Sequence, residues 1–272
     1  MKPLLDGKRA LVTGGGRGIG RVIALAMAAE GANVAVLART SAQLDEVAAQ
    51  IGDLGAPGLT VKADLSRDEE LVAGINQVHQ AWGGIDVLVN NAGILGPVGL
   101  AHDLDPDDWM RTLQVNLFAC FRCAQLVLPG MIERNGGKII NLSGGGAVSP
   151  RPRFSAYAAA KAGVVRFTET LASEVLEHHV DVNAIAPGAI HTAMVDELLN
   201  AGAAAGEEHA EAQQIVERSQ DPNRAAALAV FLASSRSDGL SGRLISAMWD
   251  DWENLDIKAV METERFTVRR LT

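Results

Sequence analysis

Thr13-Gly14-Gly15-Gly16-Arg17-Gly18-Ile19-Gly20 follows the aliphatic run Arg9–Thr13 and opens the amphipathic stretch Ile19–Glu30. A glycine triplet alone is weak evidence, because it also makes an ordinary tight turn; placed between a strand and a helix it says more. Glycines let the backbone turn sharply and come close to a pyrophosphate, while the free N–H groups of the helix start present the positive end of a dipole. The stretch therefore predicts a dinucleotide site at the first strand-to-helix turn.

The rest of the chain keeps the same rhythm. Strand-like runs at Arg9–Thr13, Asn33–Ala38, Gly58–Lys62, Val87–Asn90, Lys138–Leu142, Val180–Ile185 and Leu244–Ser246 alternate with helical patterns. Those patterns are Ile19–Glu30, Ser41–Ile51, Asp68–Trp82, Asp107–Arg134, Phe154–His178 and Asn223–Ala233. Alternation of this kind means crossover connections and a parallel sheet, and near-continuous apolar strands mean that helices cover both faces. The expected architecture is one doubly wound, Rossmann-type three-layer α/β/α sandwich with a mostly or fully parallel seven-stranded sheet, spanning residues 1–246 and binding its ligands at the carboxyl ends of the strands. Residues 188–222 read as a substrate-loop insertion, and residues 247–272 as an extension packing on the domain or on a neighbouring subunit through Trp249, Trp252 and Phe266.

Composition narrows the partners. A formal net charge of −9 supplies no basic field for nucleic acid or anionic lipid, so a small-molecule substrate is expected, with no nucleic acid and no membrane. No unbroken apolar run of bilayer length and no secretory leader is visible, which points to a cytoplasmic protein. Cys120 and Cys123, in C-x-x-C spacing, read as two small apolar side chains on a helix face and not as a redox pair or a metal site; no metal is expected.

The end of the second strand bears on the cofactor. A carboxylate there would accept from a ribose 2′-hydroxyl, but the chain reads Leu37-Ala38-Arg39-Thr40. Arg39, helped by Arg17, can form charge-assisted bonds to a 2′-phosphate, which favours NADP(H). Arg39 stacked on adenine would leave NAD(H) possible.

Tyr157, the only tyrosine, stands four residues before Lys161 at the start of a helical pattern, on the same helix face. A free phenol has a pKa of ~10, so only about one in a thousand is ionised at neutral pH. A neighbouring ammonium that brought the value to neutrality would have to contribute about 4 kcal/mol. Such a phenol can pass a proton to a carbonyl oxygen or take it back.

Together, Thr13-Gly14-x-x-x-Gly18-x-Gly20, Asn90-Asn91-Ala92-Gly93, Tyr157-x-x-x-Lys161 and Asn183-x-x-x-Pro187-Gly188 resemble the short-chain dehydrogenase/reductases, over about Lys8 to Ser246, in the short, single-domain, ketoreductase-like branch. The resemblance implies that Tyr157 is the general acid/base and that Lys161 lowers its pKa and bonds the nicotinamide ribose. It implies that Asn116 stands where a helix distortion holds a proton-relay water. Asp64 with Leu65 becomes the adenine contact, Asn90 a ribose or sheet-edge contact, and Ile190 with Thr192 the carboxamide clamp. Gly14, Arg17, Gly18, Ile19, Gly20, Arg39, Ala92, Gly93, Pro187 and Gly188 complete the cofactor wall. Long helices over 107–134 and 155–177 resemble those that join relatives into tetramers, so a homo-oligomer, tetramer or dimer, is expected.

Two positions depart from the family. Its substrate-binding serine lies thirteen residues before the tyrosine, where this chain has Gly144; Ser143 comes one residue early. A one-residue slip in a strand reverses the side chain, yet the glycines that follow can turn it back. Ser143 is therefore taken as the hydroxyl, with a water or Ser149 as the alternative. The usual Asp-Gly-Gly after the last strand is replaced by Ala247-Met248-Trp249.

Substrate choice is expected to lie with Leu95, Gly145, Arg151, Arg153, His191, Met194 and the insertion. One of the two arginines would meet an anionic or polyhydroxylated substrate, unless both belong to a solvated loop. The activity expected is NADP(H)-dependent reduction of a small polar carbonyl compound. The alternatives are an NAD-dependent alcohol dehydrogenase and a non-catalytic dinucleotide-binding regulator.

Overall fold

The computed structural model describes residues 2–270. Seven strands form one sheet in the order β3-β2-β1-β4-β5-β6-β7, with every neighbouring pair parallel. They are β1 (Arg9–Thr13), β2 (Asn33–Ala38), β3 (Gly58–Lys62), β4 (Val87–Asn90), β5 (Gly137–Leu142), β6 (Val180–Ala186) and β7 (Leu244–Ser246). The chain runs outward from β1 to β3, then returns to place β4 on the other side of β1, so Val12 is registered between Val36 and Val89. That reversal opens a crevice at the carboxyl ends of β1 and β4, the place where such sheets bind ligands.

Side chains alternate across the sheet as the strand period demands. Val12, Val36 and Val89 face α1 (Gly18–Ala29), α2 (Ser41–Asp53) and α9 (Pro222–Ala233); Leu11, Leu37 and Leu88 face α3 (Asp68–Trp82), α5 (Ala119–Glu133) and α6 (Ser155–Glu174). Both layers are fully buried, which explains why the strands read as continuous apolar runs. A smaller third cluster, Leu95, Phe154, Tyr157, Val195, Leu198, Ala205 and Ala212, lies outside these layers. It joins the loop before α6 to α7 (Ala193–Asn200) and α8 (Glu208–Glu217), the two helices of the insertion.

The sequence pattern predicts one helix over 107–134, but the chain forms α4 (Pro106–Leu113), a π-helical turn over Gln114–Phe118, and then α5. Asp105 caps α4 by accepting from the amides of Asp107 and Asp108. The run Pro106–Glu133 spans 28 residues with a stretch of mean hydropathy 1.5, long and apolar enough by length and composition to cross a bilayer. Arg111, Gln114, Asn116, Arg122 and Gln125 interrupt it, so it contains no unbroken apolar run of that length. One face of it, Cys123, Ala124, Val127 and Met131, is buried against the sheet, although only 39% of the apolar stretch as a whole is buried.

Beyond β7 the chain folds back on its own core. Trp252 is buried, its ring 5.8 Å from Phe231 and its Nε1 donating to Ala247 O at 3.2 Å. Leu244 N donates to Phe266 O at 2.8 Å, and Arg243 reaches Thr263 O at 3.0 Å beside the short helix α10 (Ile257–Met261). Glu169 of α6 accepts from Val268 N and Arg269 and pairs with Arg166. Trp249 is the exception at 81% exposed.

Candidate active site

The crevice at the strand tips is a cleft of about 1110 Å³. At one end the β1 tip is tied to the β4 tip: Thr13 Oγ1 accepts from the amides of Asn91 and Ala92 at 3.1 and 3.2 Å, and Asn91 Nδ2 donates to Thr13 O at 2.9 Å. Gly14 has φ +64 and a Cβ there would come within 2.9 Å of the Ala92 backbone, so only glycine fits this crossing. Gly20 serves packing too, since a Cβ would meet Gly14 O at 2.4 Å; it holds α1 against the loop and does not line the cleft. The N-terminus of α1 has no side-chain cap, leaving its first amides for a ligand.

The walls at this end are Gly14, Arg17, Gly18, Ile19, Arg39, Asp64, Leu65, Ala92 and Gly93, joined across the cleft by Pro187, Gly188, Ile190 and Thr192. Arg111 lines it as well, and so does Asn91, which belongs to the Asn90-Asn91-Ala92-Gly93 motif without an expected role in the wall. Burial pushes the Asp64 carboxyl up, but the Ser66 amide and hydroxyl, at 2.9 and 2.8 Å, together with Arg39 and Arg111, hold it below the usual carboxylate range. Three arginines and one carboxylate make this end cationic. The glycine turn and the uncapped helix are a donor set suited to the pyrophosphate of a dinucleotide.

In the middle, Tyr157 and Lys161 stand one turn apart on α6, 6% and 4% exposed. Lys161 Nζ donates to Leu142 O at 2.8 Å and lies 5.7 Å from the centre of the tyrosine ring. Burial brings the Lys161 ammonium down to about 8. Burial also raises the Tyr157 phenol above its ordinary value; Arg151 opposes this and Glu208 adds to it. The cation acting on the phenol in the protein alone is thus Arg151, where the sequence reading expected Lys161.

Asn116 falls in the π-helical turn and is buried, its Oδ1 accepting from Ile94 N and its Nδ2 donating to Ile94 O, both at 2.8 Å. It pins the segment after β4 and does not line the main cleft. With Asn90 and Cys120 it borders a separate cavity of about 10 Å³. Asn90 also lies off the cleft wall, donating to Asn141 Oδ1 at 3.0 Å, while its own Oδ1 is buried without a partner among the described residues. The Cys120 thiol is pushed up to about 12 by burial, which leaves it an inert packing group.

The slip at the serine has a clear structural consequence. A Cβ on Gly144 would come within 2.5 Å of the Tyr157 hydroxyl, so the family's serine position is closed by the tyrosine itself. Ser143, one residue earlier, lines the cleft with its Oγ buried and unpartnered among the described residues.

At the far end Leu95, Gly145, Arg151 and Met194 reach the cleft; Arg153 and His191 do not. Arg153 adopts φ +72 and donates to Ala204 O, while His191 faces outward and bonds Asp196 Oδ1 at 2.8 Å. A side chain next to a pocket in sequence can point away when its backbone turns, and periodicity does not reveal such turns. Glu208, Glu211 and Trp249 line this end and were missed, because the insertion and the tail carry no motif.

A family model described as short chain dehydrogenase matches residues 8–203. The D-beta-hydroxybutyrate dehydrogenase of Cupriavidus necator is 36% identical over 258 residues, covering 91% of this chain and 97% of its own. The 3-oxoacyl acyl-carrier-protein reductase of Thermotoga maritima is 35% identical over 246 residues, covering 89% and 96%. The structure of an NAD+-bound xylitol dehydrogenase superposes with a TM-score of 0.82 at 27% identity, over 89% of this chain and 98% of that one. Fold, motif order and these likenesses agree: the chain belongs to the short-chain dehydrogenase/reductases, NAD(P)-dependent oxidoreductases acting on the CH–OH/C=O pair.

Proposed function

We propose that this enzyme is an NADP(H)-dependent reductase of a small, polar carbonyl compound, with Tyr157 as general acid and Lys161 as its electrostatic partner. The observation that carries this reading is the buried Tyr157–Lys161 turn at the centre of a cleft whose other end is lined by Arg17, Arg39 and Arg111. When bound, the nicotinamide supplies the hydride to the carbonyl carbon. Arg39 and Arg17 would hold the 2′-phosphate, the α1 amides the pyrophosphate, and Lys161 the ribose.

Burial keeps the Tyr157 phenol protonated at neutral pH, the state an acid needs for reduction. As the substrate oxygen gains charge, Tyr157 gives up its proton, and the Lys161 ammonium stabilises the phenolate that remains. Ser143, whose hydroxyl has no partner among the described residues, donates to the same oxygen. Asn116 acts at one remove by fixing the Ile94 backbone. Exposed Phe118 and Phe121 on the outer side of the 106–133 helical run support assembly of copies through these helices.

Tyr157→Phe removes the proton and keeps the ring. Turnover of any accepted ketone with NADPH is expected to fall about 1000-fold with cofactor binding unchanged. Undiminished turnover would sink the reading.

A further inference from the structure

Within that reductase reading, we propose that the far end of the cleft recognises a neutral, hydroxylated carbonyl compound through the Arg151–Glu208 pair and discriminates against a carboxylate. An isolated arginine in a pocket would argue for an anionic substrate. Arg151 is not isolated. Its Nε donates to Glu208 Oε1 at 2.7 Å and its Nη2 to Oε2, with the two side chains only 16% and 21% exposed. The fork is already filled by a carboxylate from the protein.

What the pair leaves available decides its ligand. Arg151 Nη1 has no partner among the described residues and faces bare backbone, 3.5 Å from where a Cβ on Gly145 would lie. Glu208 keeps lone pairs on both oxygens. A donor beside an acceptor complements a hydroxyl group, which itself donates and accepts. The guanidinium is 5.2 Å from the centre of the Tyr157 ring, which puts this donor within a few bonds of the reacting carbonyl.

Charge points the same way. The cations that line the cleft at its other end serve the cofactor, and Arg153, the remaining candidate, is turned away to Ala204 O. Beside Arg151 stand two carboxylates, Glu208 and Glu211. A substrate carboxylate would have to approach both or displace Glu208 from a partly buried ion pair, and either course is costly. A purely structural brace between α8 and the loop before α6 would show the same pair without affecting substrate choice.

The test is a series of ethyl ketones that differ only in the second group on the carbonyl: methyl, hydroxymethyl or carboxylate. With NADPH and the full-length enzyme, kcat/KM for the hydroxymethyl ketone is expected to exceed that for either of the others by about tenfold or more. Glu208→Gln frees the Arg151 charge, so the ratio of carboxylate to hydroxymethyl kcat/KM should rise about tenfold. Arg151→Met should bring the hydroxymethyl ketone down to the methyl ketone. Equal wild-type values, a carboxylate preferred by the wild type, or ratios untouched by both variants would each overturn the inference. Reduction of other ketones but none of the three would also overturn it, leaving the reductase reading intact. Failure with every ketone would remove both.

Discussion

The two ends of the cleft are built by different means. The cofactor end hangs on the tips of β1, β2 and β4, inside the hydrogen-bonded sheet, and its charge is a surplus of arginine. The substrate end is carried by the loop before α6 and by α7 and α8, packed on their own small apolar cluster, and its arginine is already paired with a carboxylate. The first end is fixed by the same residues that make the fold; the second can be altered while the sheet stays intact. On the function proposed above, one site thus holds a constant partner and a variable one.

The junction of the two ends offers the sharpest way to break this contrast. If the substrate end is adapted one residue at a time, the slipped serine should be functional there and the family position should not tolerate a serine. Ser143→Ala removes a hydroxyl that has no partner among the described residues and is expected to lower kcat by about 100-fold, the usual effect of deleting one donor to a developing oxyanion. Gly144→Ser, which restores the family pattern, should also lower kcat, because its Cβ would displace the Tyr157 hydroxyl from 2.5 Å away. Steady-state kinetics on the double variant decides the matter. Recovery when alanine and serine are combined would mean that the hydroxyl belongs at 144.

At the other end the effect should be smaller and confined to the cofactor. Arg39→Ala removes one charge-assisted partner of a phosphate, worth about 2 kcal/mol or roughly a 30-fold rise in the Kd for NADPH. Binding of NADH should hardly change, which nicotinamide fluorescence can measure. Equal wild-type affinities for the two cofactors would mean that this end is not tuned for the extra phosphate, and the arginine surplus would need another cause.

The difference between the ends also explains what could be read from the sequence. All seven strands and the α1 turn were legible because they depend on local signals: apolar runs, glycine spacing and helical period. Gly14 and Arg39 follow from the position of a turn in that pattern. Arg151 and Arg153 were indistinguishable in Arg-Pro-Arg, and only a positive φ at 153 separates the one in the cleft from the one outside. Glu208 became meaningful only through a partner 57 residues away in the chain. The π-helical turn at Asn116 escaped because one wider turn scarcely disturbs the apolar period of a long helix.

Lys161 belongs to both ends, and its titration offers the finest test of their connection. In the protein alone, burial lowers its value from 10.5 to about 8. Between those limits the unfolded chain holds a proton that the folded chain has released, so folding stability should rise with pH across that window and the cost of burying the ammonium is fully felt below it. Lys161→Met lacks this dependence. The gap between the two urea midpoints should therefore be widest below pH 8, with the variant the more stable, and should narrow toward pH 10.5. Saturating NADPH should flatten the wild-type slope if the ammonium bonds the cofactor, because binding would then favour the charged form. Parallel curves for wild type and variant, with or without NADPH, would mean that Lys161 titrates as an ordinary lysine and links neither end to the other.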